Sequence, residues 1–174
     1  MIMNRVVIAT LSAAVTLAFA LAAGAAQAAY DVNGVGLGAG EAQIKKSFPS
    51  ALCKALEWSS RAADRRCDDS KISFGGAEAR ITFYLKKDTV QAFDLVFDTK
   101  DIDKVAAFVK SRYGKPLAEA REKIERQGKD PREVYKVRWE QGKDSAVLVS
   151  QVEKKRSQLT VARGNFEEEI YRVH

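Results

Sequence analysis

Three consecutive alternating stretches between Lys71 and Asp98 constrain this chain more than anything else in it. Ile72 and Phe74 alternate before Gly75-Gly76. Ile81, Phe83 and Leu85 then alternate with Arg80, Thr82 and Tyr84, and Phe93, Leu95 and Phe97 with polar Asp94 and Asp98. Period-two patterning with turn chemistry between the runs predicts a three-stranded antiparallel meander with one face buried. The apolar sets of the second and third runs are all odd-numbered. Cross-strand neighbours share a face, so Phe83 must oppose Phe93 and Ile81 must oppose Leu95. That register needs an odd-length connection, Lys87 to Thr89 or five residues, because a two-residue turn at Lys87-Asp88 would slip one strand by a residue and invert it.

The same logic extends outward. Tyr30 to Ala39, with Gly34, Gly36 and Gly38, reads as a flexible lead-in; no strand precedes it and no Gly-Lys-Ser/Thr follows, so it is not a phosphate cradle. Ile44 and Phe48 are spaced as on one short helix stopped by Pro49. A second amphipathic helix is predicted over 101–113 from Ile102, Val105, Ala106, Val109 and Tyr113. In the charged segment over 117–133, Leu117, Ala120 and Ile124 would line a narrow stripe of a solvated helix ending before Gly128. Three more strands follow around Tyr135-Val137-Trp139, Val147-Val149 and Leu159-Val161, with Val147 opposite Val161 and Val149 opposite Leu159. A shift of 65 lays Ile72 on Val137 and Phe74 on Trp139. The predicted fold is therefore α+β: two tandem units of a helix and a three-stranded antiparallel sheet, pseudo-repeats over 30–98 and 99–174, with the helices on one face.

Residues 1–28 carry the marks of a secretion signal: Arg5, an alanine-rich apolar run from Val6 to Ala23, and small residues in Ala26-Gln27-Ala28. Cleavage there would leave a soluble periplasmic chain beginning at Ala29, with no cysteine near the cleavage point for a lipid. Residues 29–174 then form one domain. Loss of Arg5 lowers the net charge from +6 to +5. That mild, interspersed surplus is not the stripe a nucleic-acid-binding surface needs. Cys53 and Cys67 are the two cysteines, and in an oxidising compartment they are expected to form a structural disulfide. Their spacing excludes a CxxC redox motif. His174 is the one histidine, so neither a metal site nor a histidine-based triad is expected.

The Gly34 to Gly38 run followed by Glu41, Ile44 and Phe48-Pro49 resembles the entry motif of the small outer-membrane-assembly lipoproteins of the BamE (SmpA/OmlA) type. Tyr113-Gly114-Lys115-Pro116 with Trp139 is similar to the same pattern. Two such units in tandem also resemble β-lactamase inhibitor protein. The resemblance implies a non-catalytic periplasmic interaction module and does not carry over a partner; the expected partner is an envelope protein, and no cofactor is expected. Trp58, Arg61, Arg65 and Arg66, in the cysteine-bounded segment, are the candidate interface, since tryptophan and arginine dominate binding hot spots. Asp94 and Asp98 read as a wet face and Glu167 to Glu169 as a solvated run. The alternatives are an anionic envelope surface, met by Arg61, Arg65, Arg66 and Lys154-Lys155-Arg156, or a small ligand held between the two sheets.

Overall fold

The computed structural model describes residues 30–151 and 155–171. The segment 1–28 expected to be a secretion signal, Lys154 and His174 lie outside them. The glycine-rich opening is not a flexible lead-in. Strands β1 (Asp31–Val32) and β2 (Val35–Gly36) pair as a small ribbon. Tyr30, Val32, Val35 and Leu37 bury in the main core, so the apolar residues between the glycines decide the fate of the segment. The buried Asp31 locks it in place. Its carboxylate accepts from the Gly34 N–H at 2.9 Å and from Arg112 Nη2 at 2.8 Å, and its carbonyl accepts from the Tyr113 hydroxyl at 2.9 Å.

Helix α1 (Glu41–Ser47) buries Ile44 and is followed by the buried Phe48. Four strands come next: β3 (Leu52–Ala55), β4 (Arg65–Phe74), β5 (Ala77–Lys86) and β6 (Thr89–Asp98). Asp98 accepts from the Lys100 N–H and so caps a 3-10 turn, Thr99–Asp101, that leads into α2 (Ile102–Tyr113). Ile102, Val105, Ala106 and Val109 bury as their spacing predicts. Another four strands follow: β7 (Ala118–Arg126), β8 (Lys129–Gln141), β9 (Asp144–Gln151) and β10 (Arg156–Arg163), then the short α3 (Phe166–Glu169).

All eight long strands join one antiparallel sheet in the order β3-β4-β5-β6-β10-β9-β8-β7. This corrects the expected pair of helix-plus-three-strand units. Among the described residues 54% are in strands and 19% in helix, so the chain is mainly sheet with few helices. Two physical reasons stand out. Residues 118–126 have a helix-forming composition, but Leu117 and Ile124 are exposed and no apolar stripe is buried, so pairing with β8 decides their conformation. Leu52 to Ala55 lacks strand alternation and is drawn into the sheet at the edge beside β4, cysteine against cysteine. With one sheet, the predicted ligand space between two sheets does not exist.

The register of β5 and β6 is as predicted: Phe83 opposes Phe93, with rings 5.8 Å apart, and Ile81 opposes Leu95. The connection is not. It is a two-residue turn, Lys87-Asp88, with both φ angles positive (48° and 59°), and a bulge at Gln91 supplies the extra residue that restores parity. On β9 the expected face is reversed. Leu148 opposes Leu159 and Ala146 opposes Val161, while Val147 and Val149 point the other way. Ala146 to Val149 is apolar throughout, so alternation cannot choose a face; the partners Val137 and Trp139 on β8 choose it. The main core lies between this face, α1, α2 and the ribbon, and Ile44, Phe48, Val105 and Val109 all enter it.

Candidate functional site: the outer face of the sheet

The opposite face of the sheet is covered at one end only. Small Ala92 and Ala162 let the loop after β3 and α3 settle there, with Ala63, Phe166 and Ile170 buried and Tyr84 against Phe166 at 5.4 Å. Trp58 belongs to this cover. Its indole N–H donates to the Ile170 carbonyl at 3.1 Å, and its ring stacks on the exposed Tyr171 at 6.0 Å. Burial, and secondarily the charge of Asp94, pushes the Tyr84 hydroxyl up to about 12.

Beyond this cover the face is open, and the registers align one residue from each strand across it: Leu52, Asp68, Thr82, Asp94, Thr160, Val147, Arg138 and Ala118. Thr82 donates to Asp68 at 2.8 Å and Thr160 to Asp94 at 2.6 Å; Gln158 also donates to Asp94, at 2.9 Å. The carboxylates are thus held by neighbouring hydroxyls and an amide rather than aimed at a common point. Val147 within the row, and Val96 and Val149 in the row beside it, are half-buried, and Leu52 is 76% exposed at the edge. A groove of about 350 Å³ runs over Leu52, Asp68, Thr82, Asp94 and Val96.

The residues singled out from sequence are divided by this geometry. Cys53 and Cys67 are cross-strand partners joined as a disulfide, with Cα atoms 4.0 Å apart. The Glu41 carboxylate and the two sulfurs lie within 4.8 Å of one another. The sulfurs are bonded to each other, however, and Glu41 is held by Lys45 (2.6 Å) and Arg65 (2.9 Å). Arg65 therefore belongs to the α1 side of the sheet. Arg66 is on the outer face, its Nε 3.0 Å from Asp68 Oδ2. Arg61 is exposed in the loop after β3, without a side-chain partner among the described residues. Trp58, Arg61 and Arg66 thus share the outer side and Arg65 does not. Asp94 and Asp98 share a face but serve separately, one accepting from Thr160 and Gln158, the other capping a turn. Glu167 to Glu169 form the first turn of α3. The row through Thr82, Asp94 and Thr160 was missed as a unit. Its signal was the polar half of the alternation, but joining the strands into a row needs the β6–β10 pairing, which local pattern does not contain.

No family model matches this chain, and neither a curated protein nor a solved structure matches it.

Proposed function

We propose that this is an exported, non-catalytic binding protein of the cell envelope, and that the open outer face of its sheet is where it holds another protein. The observation that carries the reading is the eight-residue row, with half-buried Val147 in it and half-buried Val96 and Val149 in the row beside it. It offers a rigid surface of mixed apolar and hydrogen-bonding character, the composition of a non-obligate interface. The outer-face carboxylates Asp68 and Asp94 are engaged with threonines, which favours a binding surface over a catalytic constellation. Export is supported by the signal-like residues 1–28 and agrees with the Cys53–Cys67 disulfide. The resemblance to BamE-type modules points the same way.

The test is photo-crosslinking from Val147 or Thr160 in cells, with Thr160→Arg and Val149→Asp as blocking variants. One envelope protein captured from the open face and lost in both variants, with melting temperature kept, is the expected result. Capture that survives both variants moves the interface elsewhere. N-terminal sequencing of the fractionated protein is expected to begin at Ala29; Met1 retained in membranes would overturn export.

A further inference from the structure

At the end of the outer face away from Trp58, the starts and ends of three adjacent strands surround a second cavity of about 500 Å³. Arg80 projects from β5, Asp98 ends β6, and Arg156 begins β10 opposite Asp98. The Thr99 N–H donates to the Lys155 carbonyl at 3.3 Å, and Ser157 Oγ is 3.1 Å from Thr99 Oγ1; these bonds bring the Lys155 end of β10 against the turn carrying Lys100. Four cations therefore line one concavity: Arg80, Lys100, Lys155 and Arg156.

The lack of an acidic partner sets Arg80 and Arg156 apart from the other arginines of the sheet. Among the described residues no carboxylate lies within ion-pair distance of Arg80, Lys155 or Arg156, and Lys100 reaches Asp98 only at 3.9 Å. Three acids share the cavity, yet each is engaged elsewhere: Glu78 with Lys71 at 3.5 Å, Asp98 with the Lys100 N–H at 2.9 Å, Asp101 with Lys104 at 3.2 Å. The other arginines of the sheet whose side chains are described have partners, as Arg121 has Asp103 and Glu133, and Arg163 has Asp144. Unpaired guanidinium groups in a concave site are suited to an anion that can be gripped by forked N–H pairs, which phosphate is. The volume is in the range of small-molecule sites, about 300–1,000 Å³, and far exceeds one phosphate. The Ser70 hydroxyl and the acids on the rim supply acceptors for hydroxyl groups.

We infer that this cavity binds a phosphorylated sugar, its phosphate on Arg80 and Arg156 with Lys100 and Lys155, its hydroxyls toward Ser70, Glu78 and Asp101. The site does not depend on a protein covering the rest of the face. The same chemistry, a phosphate borne on a polyhydroxylated ring, is carried by a free sugar phosphate and by an inositol phospholipid headgroup, and the experiment separates them.

The purified protein is titrated calorimetrically with mannose phosphate, mannose and inorganic phosphate, and tested for flotation with phosphatidylcholine vesicles with or without phosphatidylinositol. Saturable binding of mannose phosphate tighter than of inorganic phosphate, with none for mannose, is expected if the ligand is free. Flotation only with phosphatidylinositol identifies a lipid-borne headgroup. In either case Arg80→Ala and Arg156→Ala each weaken binding about tenfold or more at unchanged melting temperature, and Arg163→Ala leaves it intact. No binding in any arm, inorganic phosphate binding as tightly as the sugar phosphate, or indifference to both arginine variants overturns the inference.

Discussion

Gly75 and Gly76 form the tight turn between β4 and β5, both with positive φ (57° and 76°), yet they are not equivalent. A Cβ on Gly75 would stand 3.0 Å from Cβ, Cγ and Cδ1 of Phe108, whose ring packs edge-on against Phe74 at 5.0 Å; a Cβ on Gly76 would meet only the flexible Lys104 Cδ at 3.5 Å. Both alanine variants bear left-handed backbone strain of roughly 1 kcal/mol. Gly75→Ala must also displace a packed ring, so it is expected to cost about 2–3 kcal/mol in urea unfolding, clearly more than Gly76→Ala. Equal midpoints would contradict that close approach. Glu41 gives a pH signature. Its hydrogen bonds, first from Lys45 and then from Arg65, hold the carboxyl below the usual range against an opposing burial cost. A lowered folded value means stability that is complete above the unfolded pKa of about 4.3 and lost as pH falls through the folded value. The melting temperature of the wild type should therefore drop as pH is lowered below about 4, and Glu41→Gln should flatten that acid limb. An identical limb in the variant would show that Glu41 contributes nothing to it.

At the scale of elements, the disulfide matters because β3 has four residues and one neighbour, so little else holds it. Cys53→Ala with Cys67→Ala opens a loop closed over a separation of 14 residues, which in the chain-entropy account is worth about 3 kcal/mol. Calorimetry should show a melting temperature lower by on the order of 10 °C, with amide exchange rising first in 52–55. An unchanged temperature would mean that backbone pairing alone retains β3. Trp58 ties the other loose element, and Trp58→Ala is expected to speed proteolytic cleavage around 165–171 well before the sheet unfolds; protection equal to wild type would show that α3 is held without it. These elements also show what local sequence can and cannot reveal. The strands around Phe83 and Phe93 and the helix over Val105 and Val109 were legible because their apolar spacing has one period and one consistent face. The strand at 118–126 was not, since nothing in it is buried and only its partner gives it a conformation. Val147 and Leu148 could not be assigned a face for the converse reason, both being apolar. The bulge at Gln91 left the register readable but hid the turn. Of the candidate interface, Trp58 was marked by residue type, while the separation of Arg65 from Arg66 follows from strand parity once β4 is known to be a strand.

On the scale of the whole molecule, the sheet reads outward from one seam: β6, β5, β4, β3 to one side and β10, β9, β8, β7 to the other. Leu95 against Leu159 and Phe93 against Val161 lie fully buried at that seam. Leu159→Ala should cost about 2–5 kcal/mol and lower the stability of both halves together, with near- and far-ultraviolet circular dichroism following one transition; two separated transitions would show that the halves unfold independently. The seam joins residues 92–98 to 156–162, so it cannot close until nearly the whole chain is available, and contacts so distant in sequence form slowly. A chain still being synthesised has β6 without its partner. Under the export proposed above, that delay would be useful: β10 acts as the latch, and the polypeptide stays threadable until that strand is made.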